Sequence, residues 1–206
     1  MKSRYYNWIK APIVVMVIIL TACTSETDPS ATPEAETVSH PSSEQKPSVE
    51  TTRPETKSFE MMTAEGNQSL QAVLQQGKGF SLYVFEKFVL DADASRLSLS
   101  SNPDYYVDIE PLPSDYDLAK LKAAGKEELS RVGEVSDYSG ELVEHPLGSA
   151  KLYLQVSGEK GISDYLVWTS EAGDAFLFRL HNPKGDEASA FAGPVLVSLS
   201  TVQRNT

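Results

Sequence analysis

The chain has 206 residues, with 29 acidic against 18 basic side chains and a net charge of −11. That length suits one domain with a tail, and the acidic balance excludes a nucleic-acid partner because no basic patch is present to neutralise phosphates. A single cysteine, Cys23, leaves no disulfide and no thiolate metal cluster to be built.

Lys2, Arg4 and Lys10 precede an uncharged, mostly apolar run from Ala11 to Ala22, the layout of a secretory signal with a basic start and a short apolar centre. A spanning helix needs about 20 apolar residues, so this run is too short. Extending it back through Lys10 to Tyr5 would bury a charge at a cost of about 3 kcal/mol. In Leu20-Thr21-Ala22-Cys23 an aliphatic residue stands three before the cysteine and small residues stand just before it. This stretch resembles the lipobox of bacterial lipoproteins. The resemblance implies that residues 1–22 are a signal peptide, that cleavage falls between Ala22 and Cys23, and that Cys23 is lipidated as the mature N-terminus. One acyl chain holds only marginally, whereas two or three give lasting attachment. The expected location is the outer face of the cell membrane. Since the segment removed carries bases and no acid, the mature chain is more acidic still, and anionic headgroups would repel it.

Residues 23–56 read as a disordered tether of Ser, Thr, Pro, Glu and Ala, with Pro29, Pro33, Pro41, Pro47 and Pro54 interrupting any helix. Such a tether spans about 30 Å as a coil and up to about 100 Å as polyproline. It would hold a globular domain, residues 57–206, away from the membrane.

Phe59 begins a change of character. Ser58–Thr63 and Gln68–Gln75 flank Glu65-Gly66-Asn67, a turn signal. Leu70, Ala72 and Leu74 alternate with polar residues; Leu70, Val73 and Leu74 also fit helical spacing, and a hairpin is favoured because Gly77 and Gly79 then punctuate a strand over Phe80–Phe85. Short strands are expected at Phe88–Leu90, Arg96–Ser100 and Tyr105–Glu110. In the last, Tyr105, Val107 and Ile109 point to a core while Tyr106, Asp108 and Glu110 point to water.

Pro111-Leu112-Pro113 ends that strand, and Ser114 with Asp117 reads as a capping box opening a helix. Leu118, Leu121, Gly125, Leu129 and Val132 form its apolar stripe, with Gly133 placed to stop it. Gly125 costs a helix about 1 kcal/mol relative to alanine, so a close approach to the sheet is expected there. Strands are expected at Gly140–Glu144, Lys151–Ser157, Ile162–Ser170 and Asp174–Leu180, joined by hairpin turns at Gly158–Gly161 and Glu171–Gly173. A closing helix within Asp186–Val202 carries Phe191, Val195, Leu199 and Val202 on one face, with Pro194 starting or kinking it. The fold class is α+β, an antiparallel β-sheet with two covering helices.

Chemistry-bearing patterns are sparse. His40 lies in the tether, and His145 and His181 lie at strand ends without a third ligand nearby, so zinc is not expected. Asp91-Ala92-Asp93-Ala94-Ser95 starts like a calcium loop but has Arg96 where glycine is needed and Asn102 where glutamate is needed. Asp115 and Asp117 are explained by the first turn of a helix. No phosphate loop, dinucleotide fingerprint or nucleophile elbow occurs, and no cofactor is expected. Tyr83, Tyr105, Tyr106, Tyr153, Tyr165 and Trp168 fall on or beside strands, most of them in the core. Tyr106, Asp108 and Glu110 are the candidate binding residues, an exposed acidic and aromatic patch suited to a positively charged envelope partner.

Gly79-Phe80-Ser81-Leu82-Tyr83-Val84 followed by Phe88, and Asn102-Pro103-Asp104-Tyr105-Tyr106 running into Ile109-Glu110-Pro111-Leu112-Pro113, carry a further resemblance. From Lys57 to Gln203 the chain resembles small envelope lipoproteins of bacilli with a Mog1/PsbP-like domain. The resemblance implies an accessory, non-catalytic module that binds protein partners. Some such relatives hold metal ions, but no matching ligand cluster is found here, so no metal site is expected. The alternative is an envelope hydrolase or metal-dependent enzyme acting on wall material, which titratable side chains converging in a pocket would favour.

Overall fold

The computed structural model describes residues 53–63, 66–141 and 146–205. Ala22, Cys23, the signal segment, most of the tether, His40 and His145 lie outside them. Ordered structure reaches back into the last tether residues. Arg53 donates to the Ser81 carbonyl and hydroxyl and to the Thr201 carbonyl, and the Tyr83 hydroxyl donates to the Pro54 carbonyl.

Strands β1 (Thr56–Thr63) and β2 (Gly66–Gly77) form the expected hairpin, in register from Thr56 opposite Val73 to Thr63 opposite Gly66. Gly79, at φ +82°, turns the chain into β3 (Phe80–Phe85), a conformation that a side chain would strain. With the short C-terminal strand β11 (Gln203–Arg204), these strands make a four-stranded antiparallel sheet ordered β1-β2-β3-β11. The others are β4 (Phe88–Asp91), β5 (Arg96–Leu99), β6 (Tyr106–Pro111), β7 (Ser136–Asp137), β8 (Leu152–Gly158), β9 (Gly161–Thr169) and β10 (Ala175–Pro183). They form a seven-stranded antiparallel sheet ordered β4-β5-β6-β10-β9-β8-β7. The expected α+β class stands, with its strands divided between two sheets.

The central strands β9 and β10 are buried on both faces. Their inner residues, Leu166, Trp168, Phe176, Phe178 and Leu180, join β3 and Phe191 in the main core. Their outer residues, Tyr165, Val167 and Leu177, make a smaller core with Leu152, Leu154, Val156 and Leu129. Helix α1 (Leu118–Ser130) covers that outer face. At Gly125 an added Cβ would lie 2.6 Å from the Tyr165 ring, so glycine is what lets the helix rest on the aromatic.

Three local expectations are corrected. Asp117 is itself the cap of α1, its Oδ1 accepting from the Ala119 and Lys120 amides, because its backbone is extended. The helix therefore starts later than a Ser114 cap requires, and Asp115 precedes it. Val132 lies past the helix end and is 52% exposed, off the buried stripe. In the segment expected as a strand at Gly140–Glu144, the described residues Gly140 and Glu141 form a turn and bend, Gly140 having φ +81°. Ser136–Asp137 pair with β8 instead.

Helix α2 (Ala188–Leu199) buries Phe191, Val195 and Leu199 as expected, with Val202 buried just beyond. Phe191 sets its ring against Phe88 and Tyr105 at 6.0 and 5.8 Å. Pro194 falls inside the helix and has no N–H for the Ala190 carbonyl four residues back. The Lys87 ammonium donates to that carbonyl at 3.2 Å, supplying the missing partner from outside the helix. Among the described residues no helix is long and apolar enough to cross a membrane.

Candidate binding site

The alternation of β6 puts Tyr106, Asp108 and Glu110 side by side on the outer face, opposite His181, Arg179 and Leu177 of β10. Two arginines of the same chain occupy the two carboxylates. Arg96 reaches both oxygens of Asp108, Nε to Oδ1 at 2.6 Å and Nη2 to Oδ2 at 2.9 Å, while its guanidinium lies 3.9 Å over the Tyr106 ring. That bidentate bond raises the Arg96 pKa further. Arg179 joins Glu110 at 2.8 Å to Glu128 of α1 at 3.2 Å, with its guanidinium over Tyr165. The charges sought from a cationic partner are thus already met within the fold.

The cleft beside these residues holds about 160 Å³ and is lined by Tyr106, Asp108, Glu128, Ser163, Arg179 and His181. Small-molecule sites usually run to about 300–1,000 Å³. The Ser163 hydroxyl and His181 Nδ1 sit 3.5 Å apart there. In the other direction, on the pleat of Leu166 and Trp168, Asp164 is 7% exposed and accepts one hydrogen bond, from Gln155 Nε2 at 2.8 Å. Burial pushes its carboxyl up to about 6 against that bond, and burial also pushes the Tyr153 phenol up.

A larger concavity of about 820 Å³ opens on the four-stranded sheet and was not foreseen in the residue pattern. Alternate residues of β2, Ser69, Gln71, Val73 and Gln75, form one wall, and the β3–β4 corner around Phe85 and Phe88 forms the other. Val73 is 48% exposed in it. The corner is pinned where the Ser100 amide and hydroxyl both donate to the Lys87 carbonyl at 2.9 Å, and where Lys87 grips α2. Amides, hydroxyls and apolar faces make up most of this lining, with Glu86 and Lys87 at the corner, a set suited to binding an extended segment. Its clue was the half-polar strand pattern of β2, which showed the exposed face but not the corner opposite.

Among the described residues no group of three or more His, Cys, Asp or Glu is disposed to hold a metal. In Asp91–Ser95 the Asp91 carboxylate accepts from the Ala94 amide and closes the β4–β5 hairpin, with Ser95 at φ +53°.

These features define a two-sheet α+β domain with an open groove on its smaller sheet. The chain belongs to the family described as a domain of unknown function (DUF8580), whose model matches residues 53–203. Among solved structures it is similar to the solution structure of cyanobacterial PsbP (CyanoP) from Synechocystis sp. PCC 6803. The identity is 13% and the TM-score 0.34, over 65% of this chain and 94% of that one. No curated protein matches.

Proposed function

We propose that this protein is a lipid-anchored module on the outer face of the cell membrane that binds an envelope partner without transforming it. Cys23 would carry the lipid after removal of residues 1–22, and residues 23–52 would give the domain its reach. The groove carries the binding reading: a wall of alternate strand residues with an apolar floor accepts an extended protein segment, its side chains against the floor and its backbone against the side-chain amides of Gln71 and Gln75. With Asp108 and Glu110 held by Arg96 and Arg179, the Tyr106 patch is assigned to holding the sheet and α1 together.

The test places a photo-crosslinking residue at Val73, at Gln71 or at Val132 in intact cells. Val73 and Val132 are similarly exposed, at 48% and 52%, so access alone does not separate them. One partner species captured from Val73 and Gln71 and absent from Val132 is expected. Equal capture from all three positions, or none from the groove, overturns the assignment. Separately, Cys23→Ser is expected to release the protein from membranes and to leave the signal segment uncleaved.

A further inference from the structure

Arginines on this molecule come with carboxylates: Arg96 with Asp108, Arg131 with Glu127, Arg179 with Glu110 and Glu128, and Arg204 with Asp174. Arg53 is the exception among the described residues. Its half-buried guanidinium is bonded only to neutral oxygens, those of Ser81 and Thr201, at 2.7 to 3.2 Å. It lies 4.7 Å from the centre of the Tyr83 ring. Lys57 comes to the same ring, its ammonium 5.9 Å from the Tyr83 centre and 5.2 Å from that of Phe59, also with no carboxylate at ion-pair distance among the described residues.

Both cations line a cavity of about 450 Å³ between β1, β3 and the end of α2, with Tyr83 and Phe59 as its aromatic surfaces and Thr201 and Gln203 adding polar groups. Glu171 stands in the lining, and among the described residues no ion pair joins it to either cation. Burial lowers the Arg53 pKa, the direction expected of a cation taken from water without a counterion. Part of Arg53 has a structural duty, since its bond to the Thr201 carbonyl ties the entering chain to the end of α2. That duty does not account for a second cation over the same ring. Arginine's planar fork and lysine's point charge together suit an oxyanion, and an aromatic floor suits the body that carries it.

We propose that this cavity is a binding site for an oxyanion, a phosphate or carboxylate group, held between Arg53 and Lys57 above Tyr83. The two cavities share no lining residue, so this site stands or falls independently of the groove.

The experiment titrates the full-length chain with inorganic phosphate or acetate at constant ionic strength, with chloride as control. NMR follows the Arg53 Nε–H and Lys57 side-chain signals. Saturable shifts with phosphate, acetate or both are expected, and which anion saturates identifies the ligand class. Lys57 is exposed, so Lys57→Gln should keep the wild-type melting curve while weakening binding about fivefold, the scale of one exposed ion pair; Lys57→Arg should restore it. Shifts that follow chloride equally, never saturate, or persist unchanged in K57Q overturn the site.

Discussion

On the outer face of the seven-stranded sheet, Asp108, Glu110 and Glu128 each meet an arginine, and Asp137 meets Lys122 at 2.7 Å and Lys126 at 3.5 Å. On the inner face, among the described residues, Asp164 meets only the amide of Gln155. The outer pairs keep their charge in or near water, where an ion pair contributes at most about 1 kcal/mol. Their value is geometric, since Arg179 bridges strand to helix and Asp137 bridges helix to edge strand. The inner carboxyl is a cost that the surrounding core must carry. Removing groups from each face should therefore give effects of different size and, for the acids, of opposite sign.

The largest effect is expected in the inner core itself. Phe191→Ala removes a fully buried ring that touches Phe88 and Tyr105 and should cost about 3–5 kcal/mol, read as a lower midpoint in urea unfolding. A loss below about 1 kcal/mol would mean that the Phe191 ring does not anchor α2 in the main core.

Next comes Asp164→Asn, with the opposite sign. A carboxyl raised from 3.8 to about 6 by folding binds more protons in the native than in the unfolded state across that interval. Stability then falls as pH rises from about 4 to about 6 and stays at the lower level above. Asparagine keeps an acceptor for Gln155 without the charge, so the variant should gain roughly 2–3 kcal/mol at pH 7 and lose that slope. Unfolding midpoints at pH 4, 6 and 8 decide it; a variant less stable than wild type at pH 8 refutes the assignment of Asp164 as an unfavourable buried charge.

On the outer side, Gly125→Ala pushes a methyl into the Tyr165 ring at 2.6 Å. Overpacking of about 1–3 kcal/mol is offset by about 1 kcal/mol of helix propensity, leaving a net loss of about 0–2 kcal/mol. Tyr165→Leu in the same chain should recover part of it, since the obstacle is the ring.

These contrasts were unequally legible in the chain. The period of two in Tyr105–Glu110 is a local property, and it placed Val107 and Ile109 in the core and Asp108 outside. Gly125 was legible too, since a glycine on an apolar stripe signals close approach, although its neighbour across the gap, Tyr165, was not. Pairings hid because they depend on register. Arg96 meets Asp108 only because β5 and β6 align with those two residues opposed, and that alignment is set by the loop between them. Lys87 and Ala190 are 103 residues apart, and nothing near Pro194 announces which side chain will supply the missing donor. Asp164 looked like one polar residue in a strand, with no sign of the face it would take.

The smallest effect tests the outer side at its best-formed pair. Arg96 and Asp108 make two hydrogen bonds beside a ring, yet their side chains are 42% and 32% exposed, so water screens the attraction. Arg96→Ala and Asp108→Ala, with the double variant, should give a coupling of about 0.5–1 kcal/mol at low salt. That coupling should shrink in about 1 M salt, because both side chains are partly exposed and the screening length falls to about 3 Å. Stacking on Tyr106 does not depend on Asp108, so Arg96→Ala should remain the costlier single change at high salt. A coupling above about 2 kcal/mol that ignores salt would instead mark the pair as a buried one, and the division between a wet outer face and a dry inner one would fail at its clearest member.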